Sequence, residues 1–329
     1  MKHRDLLENA LTGAVIPRVP IALWRHFPVD DQSPGELAAA TIDYQRTYDF
    51  DLVKVTPSSS FCLRDWGIED AWRGATEGTR EYTRRVIQSP EDWVKLSQLN
   101  PTKGYLGDQL SCLDMILKSR QIDAPVLQTI FSPLSQAKNL IGKDLLQVHI
   151  RQHPQALQAG LKIITETTIQ FVEAALKTGI DGIFYAVQHG QYGLLGEAEF
   201  DQFCRYYDLQ VLEVARSAWL NMLHLHGEHV MFRRVADYPV QILNWHDQDT
   251  WPSLSEGQMY FPGSVCGGLK REETMVLGTP ASVVQEARSA ITTTQGKRLI
   301  LGTGCVVPIT APRANLIAAR RSVEEIRLT

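Results

Sequence analysis

Eight short apolar runs, separated by longer stretches of helical period, constrain this chain more than any other feature. The runs are Val19–Trp24, Leu52–Thr56, Pro125–Phe131, Gly182–Gln188, Asn221–Leu225, Gln241–Trp245, Ser264–Leu269 and Leu299–Gly302. Among the stretches between them, Gln155–Lys177, Glu197–Ala218, Pro280–Thr293 and Ala314–Ile326 repeat apolar residues at helical spacing. Ser33-Pro34, Ser89-Pro90 and Thr279-Pro280 each place a capping side chain before a proline suited to the first helical turn. Repeated strand–helix units build a parallel sheet, and eight of them close into a barrel. The pattern predicts one (β/α)8 barrel domain over residues 1–329. The long stretch Cys62–Asp123, between the second and third strands, is predicted to be a helical insertion over the barrel top. An open doubly wound sheet is the rival, but no glycine-rich phosphate loop follows the first strand.

Composition narrows the function classes. With 44% hydrophobic and 21% charged residues, the chain has the apolar material for one large core. A net charge of −4 and no basic run give no electrostatic case for nucleic acid. No apolar window is long enough for a membrane span, and Met1 to Ala10 lacks the apolar stretch of a signal peptide. The five cysteines, Cys62, Cys112, Cys204, Cys266 and Cys305, are odd in number and free of CxxC spacing. They suggest a reducing, cytoplasmic setting rather than a disulfide framework.

Barrel chemistry sits at the C-terminal ends of the strands. There the chain places Trp24-Arg25-His26, Lys54, Gln188-His189, His224-Leu225-His226-Gly227, His246-Asp247, Gly267-Gly268 and Gly304-Cys305. Residues i and i+2 of a strand share a face, so His224 and His226 can present two imidazoles together. Cys305 at the end of a later strand adds a third ligand, which makes a minimal catalytic zinc site. Cys266, also on a late strand, is its rival. Arg25 and Lys54 read either as ion-pair residues of the mouth or as groups that bind a substrate carboxylate. Asp247 either orients an imidazole, carries a proton or caps the following helix. His26 and His229 read as surface residues or as supports behind the ligands. Trp24, Gln188, His189 and Gly268 are expected to contact substrate, and His246 to take a catalytic part with Arg25, Lys54 and Asp247.

At these strand ends the chain resembles the uroporphyrinogen decarboxylase superfamily. The resemblance rests on Pro20-Ile21-Ala22-Leu23-Trp24-Arg25, Gly179 to Phe184, His224-Leu225-His226-Gly227, Ile242 to Asp247, Gly267-Gly268-Leu269 and Gly302-Thr303-Gly304-Cys305, followed by Pro308 and Asn315. It implies a single (β/α)8 barrel and one of two chemistries. One is cofactor-free decarboxylation of uroporphyrinogen III in porphyrin biosynthesis; the other is zinc-dependent methyl transfer between a corrinoid and a thiol. The decarboxylase pattern has two arginines near the N-terminus, where this chain has Arg25 alone. That pattern's aspartate on the second strand has no counterpart in Val53-Lys54-Val55-Thr56-Pro57, and Thr303 replaces its late histidine. The methyltransferase pattern, His-x-Cys plus a distant Cys, is met by His224 and Cys305, with His226 in place of the middle cysteine. Zinc-dependent methyl transfer to a thiol is therefore the leading expectation. The alternatives are a metal-free decarboxylase and a non-catalytic barrel that holds a tetrapyrrole or corrinoid. A small-molecule thiol or tetrapyrrole, a corrinoid protein and a second copy of the chain stand as candidate partners.

Overall fold

The computed structural model describes residues 1–119 and 121–326. Its centre is a curled parallel sheet of seven strands: β1 (Val53–Val55), β4 (Val126–Phe131), β5 (Gly182–Val187), β6 (Met222–Leu225), β7 (Ile242–Trp245), β8 (Ser264–Leu269) and β9 (Leu299–Thr303). Two further strands, β2 (Glu69–Ala71) and β3 (Glu81–Arg84), form a separate antiparallel hairpin. Every residue of the seven is buried, as expected for parallel strands enclosed on both faces. Consecutive strands are neighbours throughout, and helices such as Pro154–Lys177 and Pro280–Thr293 make the crossovers. Among the described residues no helix is long and apolar enough to cross a membrane.

Seven of the eight expected strands form within two residues of their expected ends. The first, Val19–Trp24, shrinks to a single bridge between Ile21 and Leu301. The cause is local. Pro20 has no N–H to donate, and the Ile21 N–H is taken by the Asp51 carboxylate at 2.8 Å. The segment still lies between the sheet's two ends. Leu301 N donates to Pro20 O (2.8 Å), Ala22 N to Leu301 O (2.9 Å) and Asp51 N to Ile21 O (2.8 Å).

The Cys62–Asp123 stretch differs from an insertion made of helices. It holds the β2–β3 hairpin and two 3-10 turns (Arg64–Trp66 and Pro90–Lys95) before the helix Gly104–Lys118. Buried carboxylates anchor the hairpin: Asp70 accepts from Arg64 at 3.0 Å and from Arg80 at 2.8 Å. The helix expected at Glu197–Ala218 is interrupted by a π-turn over Asp201–Arg205 and ends at Ala215.

Candidate metal centre

The ends of three strands, β6, β7 and β9, bring four donor atoms together. His224 lies within β6 and His226 one residue past its end, on the same face. His246 directly follows β7, and Cys305 follows Gly304 just past β9. The chain leaves His226 through Gly227 at φ +102°, where a Cβ would sit 2.3 Å from the Gln191 side chain. All four ligand atoms lie within 4.8 Å of one another. His226 Nδ1 is 3.4 Å from His224 Nε2, 3.3 Å from His246 Nε2 and 3.7 Å from Cys305 Sγ. One imidazole N–H cannot serve three such contacts, and each is long for a hydrogen bond. Zinc bonds of ~2.0–2.1 Å to nitrogen and ~2.3 Å to sulfur give tetrahedral edges of roughly 3.3 Å (N–N) and roughly 3.6 Å (N–S). The observed spacings match those edges, so the residues fit a tetrahedral metal.

The atoms behind the cluster set its tautomers. Asn244, opposite His224 in the β6–β7 register, places Oδ1 2.7 Å from His224 Nδ1. Its amide cannot be flipped, because Nδ2 donates to Cys266 O at 2.9 Å and to Thr303 O at 3.0 Å. Nδ1 of His224 therefore carries the proton, and the Nε2 lone pair faces the cluster. His246 Nδ1 lies 3.5 Å from the Asp249 carboxylate, which likewise turns Nε2 inward. Burial works to raise the Cys305 thiol, but the surrounding imidazoles of His224, His226 and His246 bring it well below its usual value. Burial works to lower His246, and the Cys305 sulfur raises it above the usual imidazole value. Burial also lowers His224, with Cys305 acting the other way. The remaining cysteines go in the opposite direction. Burial lifts Cys62 and Cys112 to about 12, and raises Cys204 and Cys266 as well.

His224, His226 and Cys305 form one wall of a cleft of about 550 Å³, with His246 behind them. Trp24, Phe131 and Phe184 supply its apolar side, and Phe184 stacks on His224 at 5.6 Å. Lys54 is its one lysine or arginine among the described residues. Its Nζ donates to Thr56 Oγ1 at 3.2 Å and lies 4.5 Å from the Phe184 ring centre. Burial lowers Lys54 to about 7, an effect the Cys305 charge opposes. Gln188 also lines the cleft, and its Oε1 is buried without a partner.

Other expected site residues lie elsewhere. Arg25 turns out of the cleft, with its guanidinium 5.2 Å from the Phe27 ring centre and 5.4 Å from that of Tyr44. An extended chain alternates faces, so Trp24 and His26 point in while Arg25 points out. Asp247 neither orients His246 nor caps a helix; it accepts from Gly268 N at 3.0 Å and from Gln248. The carboxylate at the His246 ring is that of Asp249. Gly268 packs outward, where a Cβ would lie 2.6 Å from Ala290 Cβ, and His189 is buried outside the cleft lining. Sequence alone assigns no site role to Asn244, Asp249, Thr56, Thr129, Glu77 or Phe184. Only strand register and side-chain direction reveal them.

Comparison with known proteins bears on the family and the fold. The family model described as uroporphyrinogen decarboxylase (URO-D) matches residues 2–326. No curated protein matches the chain in sequence. Among solved structures, a methyltransferase from Methanosarcina mazei superposes with a TM-score of 0.86 at 18% identity, covering 99% of each chain. A B12-independent methionine synthase from Shewanella sp. W3-18-1, in complex with selenomethionine, reaches 0.59 at 13% identity, covering 97% of each. At such identities these neighbours speak to the fold alone. The matched span, nearly the whole chain, makes this protein a member of the uroporphyrinogen decarboxylase (URO-D) family.

Proposed function

We propose that this chain is a zinc-dependent methyltransferase that passes a methyl group to a small anionic thiol, with a corrinoid protein as donor. The observation that carries the reading is the cluster of four donors within 4.8 Å of one another, His224, His226, His246 and Cys305, with His226 Nδ1 at tetrahedral-edge distance from the other three and the His224 tautomer fixed from behind. Zinc held there would supply the Lewis acidity that lowers the pKa of a thiol, the thiol taking the place of one of the four donors or a fifth position. The chain's own residues do the rest. Asn244 and Asp249 hold two imidazoles with Nε2 forward, and Cys305 contributes its negative charge. Lys54 holds the anionic end of the thiol, and Trp24, Phe131 and Phe184 keep water from the sulfur. The methyltransferase and methionine synthase descriptions of the structural neighbours support the same class. We read the sheet, with Pro20–Ala22 hydrogen-bonded between β9 and β1, as a closed eight-membered barrel.

A porphyrinogen decarboxylase fits this cleft less well. A macrocycle with eight carboxylates calls for several cations, and among the described residues lining the cleft Lys54 is the one lysine or arginine. The test is metal analysis of protein purified without added metal, followed by methylation assays with methylcobalamin and short anionic thiols. About one zinc per chain and thiol methylation that a chelator abolishes are the expected results. Metal-free protein that converts uroporphyrinogen III at an ordinary enzymatic rate would overturn the reading.

A further inference from the structure

Arg25, turned away from the cleft, lines a second cavity of about 280 Å³. This space lies between the Leu23–Phe27 segment, Leu52–Lys54 and the helix Pro34–Tyr48. Thr41 and Tyr44 stand three apart on that helix, so both present their side chains to the same face. Three of the lining side chains hold a buried donor that has no hydrogen-bond partner. The donors are Arg25 Nε, Thr41 Oγ1 and Tyr44 Oη.

Among the described residues no carboxylate lies within 4.0 Å of the Arg25 guanidinium, and no Asp or Glu lines the cavity. The rings of Phe27 and Tyr44, at 5.2 Å and 5.4 Å, offset part of the guanidinium charge. A ring face leaves the in-plane Nε–H and the two hydroxyls unserved, and buried donors without partners are costly. Burial pushes the Tyr44 hydroxyl up, with Arg25 acting the other way, so it stays protonated and able to donate. One positive charge and three donors suit one planar carboxylate, whose two oxygens offer lone pairs to all of them. The remaining wall includes Leu23, Phe27, Leu52 and Val53, which would leave the extra charge and oxygens of phosphate unsatisfied. Lys54 lines the cavity too, but its Nζ is directed to Thr56 Oγ1 and the Phe184 ring. Arg25 and Tyr44 alone among the lining residues are half-buried, so a ligand enters beside them.

We propose that Arg25, Thr41 and Tyr44 form a binding site for a small monocarboxylate, separate from the metal-bearing cleft and backing onto it. Trp24 and Lys54 line both spaces, so the bound carboxylate lies one side chain away from the cleft. The site does not depend on the methyl-transfer reading.

Calorimetric titration of the full chain with formate, acetate and inorganic phosphate tests the site. Formate and acetate should bind saturably, and phosphate should bind about tenfold more weakly or not at all. Arg25→Met should lower formate affinity about tenfold or more, the worth of a charge-assisted hydrogen bond. Tyr44→Phe and Thr41→Val each remove one hydroxyl and should lower it about two- to tenfold. These two conservative variants carry the decision if Arg25→Met fails to fold. Zinc content should equal that of the parent in all three, so failure of this site is distinguishable from failure of the metal centre. Absence of saturable carboxylate binding, or equal formate affinity in the parent, Tyr44→Phe and Thr41→Val, would overturn the site. Binding that survives Arg25→Met and disappears in Lys54→Met would place the anion in the cleft and overturn it as well. Phosphate affinity equal to that of formate would overturn the monocarboxylate assignment.

Discussion

The side chain of Asn244 ties His224 to two other strands at once: Oδ1 lies 2.7 Å from His224 Nδ1, while Nδ2 donates to Cys266 O and Thr303 O. A buried amide fixed by two donor bonds inside the curled sheet holds the imidazole more firmly than a solvent-facing partner could. Asn244→Ala should therefore weaken zinc binding about 10–100-fold, the usual cost of losing such a support. It also leaves two buried carbonyls without donors, at about 1–3 kcal/mol each. Competition against a chromophoric chelator reads the first effect, and a denaturant melt reads the second. Unchanged zinc affinity would show that Asn244 serves packing alone.

Cys305 differs in kind from the other four cysteines, because three imidazoles hold its thiol down while burial alone acts on Cys112. In metal-free protein at neutral pH, iodoacetamide should label Cys305 first, and added zinc should protect it. Cys305→Ser should abolish stoichiometric zinc binding with little change in the melt. Cys266→Ser should bind zinc normally, since the Cys266 sulfur faces β9, 2.9 Å from where a Cβ on Gly302 would lie. The reverse pattern would reassign the ligand.

Strand parity made much of this site legible and sets the limit of that legibility. His224 and His226 share a face because they are two apart, and Cys305 follows a run that could only be a strand. Parity also forbids what a list of polar strand-end residues suggests. Trp24 and Arg25, Gln188 and His189, and His246 and Asp247 are adjacent pairs, and in each the first residue reaches the cleft or the metal cluster while the second does not. Which strand ends meet is a different matter. Asn244 supports His224 through the register between β6 and β7, a relation between segments twenty residues apart that no local pattern carries. The hairpin β2–β3 was illegible for another reason. Glu69-Asp70-Ala71 and Glu81-Tyr82-Thr83-Arg84 have no apolar alternation, and buried ion pairs of Asp70 with Arg64 and Arg80 hold them instead.

Lys54 should make thiol binding depend on pH. Burial lowers it to about 7, so its charge is present below that pH and fades above it. The KM for an anionic thiol should rise between about pH 6 and about pH 8, with kcat following the metal site instead. Lys54→Met should raise KM at low pH and remove this dependence, with zinc stoichiometry unchanged. A neutral thiol of equal size should show no such effect. Equal KM profiles for parent and Lys54→Met would place the anion elsewhere.

Asp208 should shape stability rather than activity. It is buried and accepts from Tyr185 at 2.7 Å and from Tyr238 at 2.9 Å. Burial raises its carboxyl from 3.8 to about 7, although both tyrosines act the other way. Across that interval the folded chain keeps a proton that the unfolded chain has released. The contribution of Asp208 to stability therefore falls as pH rises from about 4 to about 7 and is level above. Asn at this position cannot titrate, so the Tm of Asp208→Asn relative to the parent should climb over the same interval. A constant difference across those pH values would refute the assignment.

Gly304 and Gly302 separate site geometry from fold stability. A Cβ on Gly304 would lie 2.7 Å from His246 Cα and 2.7 Å from Trp245 O, both backbone atoms that cannot rotate away. Relief requires the ends of β7 and β9 to part, and those ends carry His246 and Cys305. Gly304→Ala should therefore cost about 1–3 kcal/mol of stability as an overpacked site and weaken zinc by at least about tenfold. On Gly302 the Cβ would meet Ala22 O and Cys266 Sγ, each at 2.9 Å. The strain there falls where Pro20–Ala22 hydrogen-bonds to β9, away from the ligands. Gly302→Ala should lose a comparable amount of stability and keep its zinc affinity within about twofold, because the bonds that set that affinity are unmoved. Parallel chelator competition and melts on the two variants read the contrast. Equal losses of zinc affinity would mean that the cluster responds to general loosening of the sheet rather than to the close approach of β7 and β9 at Gly304.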